Sequence, residues 1–101
     1  MRSIFFLLVF TCTALLAGCA VVPAQEMSDA RQAIQAAEAV DADNHAPRAL
    51  GLARALLDQA QLELASKDYS AARRSARASK AAAIQAREAA DDMLRAQPEL
   101  R

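Results

Sequence analysis

Apolar residues recur at helical spacing in three successive segments that follow an apolar N-terminal run. The first of these segments has apolar residues every three or four positions, at Met27, Ala30, Ile34, Ala37 and Val40. This spacing is typical of the buried face of an amphipathic helix. Ser28 is a suitable N-cap with Asp29 in the first turn, so the pattern predicts a first helix that begins near residue 28.

The second segment predicts a leucine-rich helix with a broad apolar surface. Pro47 suits the first position of a helix. One apolar stripe then runs through Leu50, Ala53, Leu57, Ala60 and Leu64, and a second, adjacent stripe through Ala49, Leu52 and Leu56. Because so wide an apolar arc can contact helices on two sides, we predict that this helix is the central one.

The third segment predicts the longest helix. Residues 66–69 break the pattern, with Asp68 as the predicted N-cap. Small or apolar residues then repeat in steps of three and four, at Ala72, Ala76, Ser79, Ala83, Ala86, Ala90 and Met93. We call this set the alanine seam. Pro98 marks its end, which predicts a helix of about 28 residues, or about 42 Å.

The alanine seam allows two interpretations. By default it fills the core of the chain's own bundle. Alternatively, its later part extends past the two shorter helices and forms an interaction face for another chain, made of Ala83, Ala86, Ala90 and Met93.

Composition supports one small helical domain. The chain has 101 residues, and after residue 22 it contains one aromatic residue, Tyr69, and few β-branched residues. Such a composition favours helices over strands. We predict an all-α fold, either an antiparallel helical hairpin or a three-helix bundle, over residues 27–97 after an N-terminal signal helix.

The N-terminus has the layout of a secretory signal: a short basic start and an apolar run that ends in small residues. The segment Leu16-Ala17-Gly18-Cys19 closely resembles the lipobox of bacterial lipoproteins. That resemblance implies a diacylglycerol on the Cys19 thiol and cleavage before it. We predict a signal peptide over residues 1–18 and a lipid anchor and tether over 19–26. By resemblance to enterobacterial lipoproteins, Ala20 in place of an aspartate after the cysteine implies the outer membrane, facing the periplasm. The alternative is an ordinary leader with a free Cys19.

Little catalytic chemistry is available to the mature chain. Its one histidine is His45, and its one cysteine is Cys19, which the lipid would occupy. Nucleophilic catalysis therefore has no support, and we predict no enzyme activity, no cofactor and no metal. Asp41, Asp43 and Asn44 lie next to His45, but their spacing matches no metal motif, and we predict a solvated turn there.

The charges balance, with twelve Lys and Arg against twelve Asp and Glu, which does not favour nucleic acid as a partner. The first half of the third helix is nevertheless basic, at Arg73, Arg74, Arg77, Lys80 and Arg87. One interpretation is contact with an anionic surface. The favoured alternative is a solvated face that Glu63 and Asp58 compensate.

Three motifs carry a family resemblance: Ala46-Pro47-x-x-Leu50-x-x-Ala53, Leu57-x-x-Ala60 and Asp68-Tyr69-x-x-Ala72. They resemble the domain-of-unknown-function 4398 family, helical proteins of the Gram-negative envelope, over residues 27–90. The resemblance implies a lipoprotein without catalytic residues. Some members carry an OmpA-like domain that binds peptidoglycan, for which 101 residues leave no room, so we expect any peptidoglycan contact to be indirect.

Together these features predict a non-enzymatic outer-membrane lipoprotein that presents a helical surface for protein interaction or envelope organisation. Its partners would be the membrane, through the lipid on Cys19, and an envelope protein or a second copy of the chain. The alternative is a self-associating coiled-coil spacer like the major murein lipoprotein. The ending Glu99-Leu100-Arg101 disfavours attachment to peptidoglycan through a C-terminal lysine.

Overall fold

The computed structural model describes residues 2–4 and 22–96. Residues 2–4 are helical, and the second range forms four helices: α1 (Ala24–Ala39), α2 (Ala42–His45), α3 (Pro47–Ala65) and α4 (Tyr69–Ala96). The described residues contain no strand, which confirms the all-α prediction. Helices α1, α3 and α4 form an up-down-up three-helix bundle. The lipobox, Leu16–Cys19, lies outside the described residues.

The longest helix, α4, occupies the centre of the bundle, and the prediction of a central α3 is wrong. Helices α1 and α3 each pack mainly against α4 and contact each other less. Alanine and serine cover a broad arc of α4, and such small side chains let two neighbours approach its axis closely. On α3, by contrast, part of the apolar arc is solvated, and Leu52 is 53% exposed.

The alanine seam lies in the chain's own core. Ala83, Ala86 and Ala90 are each 0% exposed, in one cluster with residues such as Ile34 and Leu50. The predicted overhang with an open interaction face is therefore wrong for these three alanines. The seam is covered over a greater length than expected, because α2 packs against it beyond the end of α1. Of the predicted face, Met93 remains accessible, at 44% exposed.

The opposite end of the bundle has a smaller cluster. Met27 of α1, Ala60 of α3 and Ala76 of α4 are buried against one another, with Leu57 and Leu64 packed beside them. This contact places the start of α1 next to the end of α3 and the first half of α4. No helix among the described residues is long and apolar enough to cross a membrane.

The start of α1 differs from the prediction. The helix begins at Ala24, and its first backbone bond runs from Met27 N–H to the Pro23 carbonyl at 3.0 Å. Ser28 lies inside the helix, where its hydroxyl accepts a bond from Gln32. The helical domain therefore begins three residues before the predicted residue 27. Pro23 explains why the helix begins here. It has no N–H group to donate to a preceding helical turn, but its carbonyl accepts the first hydrogen bond of α1.

The predicted turn after α1 is shorter than expected. Only Val40 and Asp41 form a turn, with Asp41 in the left-handed region at φ 60°, and residues 42–45 then make the single helical turn α2. This turn buries Ala42 and leads to Ala46, which also lies in the core. Pro47 is the first residue of α3, as predicted.

The connection between α3 and α4 has a well-defined capping geometry. Lys67 takes φ 62°, and the Asp68 and Lys67 N–H groups donate to the carbonyls of Glu63 and Leu64, at 2.9 and 3.0 Å. This is the Schellman arrangement, formed here without glycine. Asp68 Oδ1 then accepts a bond from Ala71 N–H at 3.2 Å, which confirms Asp68 as an N-cap. The helix that follows has the predicted 28 residues.

We expect Asp68→Ala to destabilise the bundle by about 1 kcal/mol, because the first turn of α4 loses its side-chain cap. For a domain of this size the midpoint of thermal unfolding, Tm, should fall by about 4–8 °C. Circular dichroism melts measure this. Asp58→Ala, which removes an exposed acid from the interior of α3, is the matched control. Equal melting temperatures for the two variants would contradict the capping role.

Candidate interaction surfaces

A line of basic residues follows the side of α4 that faces α1. Positions 73, 77, 80, 84 and 87 alternate steps of four and three, so they share one edge of the helix. We call this the basic stripe: Arg73, Arg77, Lys80 and Arg87, with Ile84 among them. Part of it forms an open groove of about 260 Å³ with Asp29, Gln32, Ala33 and Ala36 of α1. Ile84 is 42% exposed there.

The basic stripe is compensated at one end and unbalanced at the other. Glu26 Oε1 of α1 lies 3.4 Å from Arg73 Nε and 3.7 Å from Arg77 Nη2. Lys80 and Arg87 have no carboxylate within 4.0 Å among the described residues. Asp29 borders the same groove and accepts a hydrogen bond from Gln25 at 2.8 Å, which leaves its negative charge in place. This part of the groove therefore has two cations, Lys80 and Arg87, against one acid.

The predicted set of cations needs one change. Arg74 lies on another side of α4, where its Nη1 donates to Ser70 Oγ at 2.9 Å. Arg87, which the sequence also predicted, lines the groove. The predicted compensation by Glu63 and Asp58 is also wrong, because neither carboxylate lies within 4.0 Å of a cation of the stripe in the described part of the chain, and Glu63 accepts a hydrogen bond from Ser75. Sequence could not identify Glu26 as the compensating acid, since its position depends on how α1 is aligned with α4.

A second surface runs along the outer side of α3. Leu52, Ala55, Gln59 and Leu62 follow three-four-three spacing and are all exposed, with the two leucines at 53% and 70%. We call these four residues the leucine face. It contains no charged side chain. Of the predicted second stripe on this helix, Ala49 and Leu56 are half-buried, and only Leu52 is solvated.

Arg54 holds the residues between α1 and α3 in place. Its Nη1 donates to Asp43 Oδ1 at 2.9 Å and its Nη2 to Glu38 Oε1 at 3.1 Å. These bonds, the one to Asp43 first, raise the pKa of the Arg54 guanidinium above its ordinary value. The contact joins the end of α1, α2 and α3.

The acidic cluster beside α2 is bonded within itself. Asn44 Nδ2 donates to Asp41 Oδ1 at 2.9 Å, and His45 Nε2 lies 3.7 Å from Asp41 Oδ2. Asp43 is engaged by Arg54. Residues 2–4 and 22–96 contain no group of three or more His, Cys, Asp or Glu side chains that could hold a metal ion.

Two serines replace alanine on the buried side of α4, and both form hydrogen bonds to α3. Ser79 Oγ donates to the Ala53 carbonyl at 2.6 Å, and Ser75 Oγ donates to the Glu63 carboxylate. No buried side-chain nitrogen or oxygen in the described part of the chain lacks a partner. These bonds help to specify which side of α4 faces α3.

The fold and its surfaces define a small, alanine-packed, up-down-up helical bundle. Comparison with protein-family models, with curated proteins and with solved structures yields no match for this chain. The relation to the domain-of-unknown-function 4398 family therefore stays a prediction.

Proposed function

We propose that this chain is a lipid-anchored, non-enzymatic protein of the bacterial outer membrane, and that its bundle offers a helical surface to an envelope protein. The observation that carries the proposal is Leu16-Ala17-Gly18-Cys19 at the end of an apolar N-terminal run. Three or more acyl chains at about 0.8 kcal/mol per buried CH₂ would make such an anchor effectively permanent.

The geometry of the bundle indicates which of its ends an anchor at Cys19 would hold near the membrane. Only residues 20–23 separate Cys19 from the first residue of α1, and four residues span at most about 14 Å. The start of α1 packs beside the end of α3 and the first half of α4. With Cys19 acylated, this end of the bundle would be held near the headgroups.

The leucine face is the surface that we assign to a protein partner. The alanine seam is closed by α1 and α3, so the exposed apolar side chains of α3 take its place. Leu52 and Leu62 are ten residues apart, or about 15 Å along the helix. Two apolar anchors at this distance fit a partner helix that packs lengthwise, with Ala55 allowing a close approach between them.

Self-association is the second candidate, and the uncharged leucine face is what favours it. A coiled coil through the alanine seam would require Ala83, Ala86 and Ala90 to be open, whereas all three are buried. Two copies would therefore meet through Leu52 and Leu62. Sedimentation of the detergent-solubilised, acylated protein separates this candidate from a different partner.

The anchor is tested by mass spectrometry of protein extracted from membranes. We expect the mature species to begin at Cys19 and to carry a diacylglycerol and an N-acyl chain. Cys19→Ala should leave an unprocessed or soluble protein, while Cys12→Ala, in the leader, should change nothing. A mature chain with a free thiol would overturn the proposal.

The partner surface is tested by photo-crosslinking in cells from position 62, with position 61 as the control. Gln61 is also exposed but lies about a quarter-turn away on α3. We expect a discrete product from position 62 only, which Leu52→Glu removes without loss of helicity. A product of twice the chain mass would identify self-association. Equal labelling from both positions would contradict a specific leucine face.

A further inference from the structure

We propose that the basic stripe binds the phosphates of an anionic lipid surface, so that the bundle lies with its α1–α4 side against the membrane. This inference rests on the proposed acylation of Cys19 and adds a second, electrostatic contact to it. The binding chemistry is that of lipid headgroup phosphates with the ammonium of Lys80 and the guanidinium groups of Arg77 and Arg87.

The distribution of charge singles out this side of the bundle. Residues 22–96 carry ten Lys and Arg and eleven Asp and Glu. The basic stripe has four of the cations, and its side of the bundle has three acids: Glu26 and Asp29 of α1, and Asp91, which lies one step of four beyond Arg87 on the same edge of α4. The remaining surface therefore has six cations against eight acids. An anionic membrane would attract the groove side and repel the rest.

The composition of the groove also suits a lipid surface. Arg77 and Arg87 are about 15 Å apart along α4, with Lys80 and the partly exposed Ile84 between them. An apolar side chain flanked by cations is typical of helices that lie in a membrane interface. The long stems of Lys and Arg let their charged groups reach phosphates while Ile84 faces the acyl boundary.

The position of the stripe brings it within reach of the membrane. Arg73 and Arg77 contact Glu26, in the first turn of α1, directly after the tether. An anchor at Cys19 would keep headgroups beside the stripe continuously, at a high effective concentration. An acidic partner protein would have to be recruited from solution, and for this reason we assign the stripe to lipid.

The test places a fluorophore on Ile84→Cys, with Leu62→Cys as the control label on the other side of the bundle. The protein, produced in bacteria with its own leader and purified without selection for acylation, is reconstituted into vesicles that contain nitroxide-labelled lipid. One set contains phosphatidylglycerol and the other only phosphatidylcholine. We expect the label at position 84 to be quenched in phosphatidylglycerol vesicles only, and the label at position 62 in neither. Raised salt should reverse the quenching, because screening weakens exposed charges.

Charge neutralisation provides the matched comparison. Each cation near an anionic surface strengthens its attraction about fivefold, so Lys80→Gln with Arg87→Gln should reduce the bound orientation about 25-fold. Arg31→Gln with Arg48→Gln removes the same charge from other sides of the bundle and should leave quenching unchanged. Circular dichroism verifies that both double variants fold.

The outcomes separate the stripe from the anchor. If the protein floats with both kinds of vesicle but position 84 is never quenched, the stripe does not bind lipid. If it floats with phosphatidylglycerol vesicles only, the stripe binds and the anchor fails. If the protein floats with neither kind of vesicle, both the lipid anchor and the lipid-binding stripe are wrong. Protection of position 84 in native membranes but not in phosphatidylglycerol vesicles would assign the groove to a protein and overturn the lipid proposal.

Discussion

Ala83→Glu should unfold the bundle. Ala83 is 0% exposed and packs in the cluster that joins all three long helices. A glutamate there overfills a site shaped for one methyl group and takes a carboxylate out of water without a partner, which costs several kcal/mol. The 75 residues from 22 to 96 should have a total stability of roughly 4–11 kcal/mol, so the substitution removes most of it.

The measurement is the circular dichroism signal of helix in the purified variant, followed with temperature. Ala81→Glu is the control, because Ala81 lies in the same helix but is exposed. It makes the same chemical change with the same small effect on helix propensity. A cooperative melt of Ala83→Glu close to that of the unmodified protein would show that the alanine seam is open to solvent.

Leu50→Ala should cause the largest loss of stability that a simple truncation can produce among residues 22–96. Leu50 is the largest fully buried side chain in this part of the chain, and it packs with Ala53 of its own helix and with the seam. Removing a buried leucine side chain typically costs about 2–5 kcal/mol. A loss of about 3 kcal/mol corresponds to a decrease in Tm of about 12–24 °C for a domain of this size.

Leu62→Ala is the control for this truncation. Leu62 lies on the same helix but is 70% exposed, so the same atoms are removed from a site that contacts solvent. We expect its Tm to change by only a few degrees. If the two variants melt alike, then α3 faces the core with a different side from the one described, and the leucine face is not the partner surface.

The Ala83→Glu result also tests in solution that the alanine seam forms the core of its own chain. Small residues at three-four spacing pack equally well against helices of the same chain or of another chain. The two interpretations differ in whether helices of the same chain are long enough to bury all the residues of the alanine seam. Here α2 supplies the missing length, because Ala42 and Ala46 continue the core beyond Ala39, where α1 ends.

The sequence alone determined the features that depend on neighbouring residues. Pro47 at a helix start, Asp68 as an N-cap and a final helix of 28 residues all follow from local geometry, since capping and helical periodicity involve residues at most a few positions apart. The all-α class follows in the same way from the shortage of β-branched and aromatic residues.

Only the tertiary structure decided how the helices are arranged. It placed α4 at the centre, paired Glu26 with Arg73 and Arg77, and closed the seam over Ala83. The physical reason is that each of these facts depends on the alignment and rotation of one helix relative to another. Alanine-rich faces allow many such alignments at similar energy, and the choice among them emerges only when all three helices pack together.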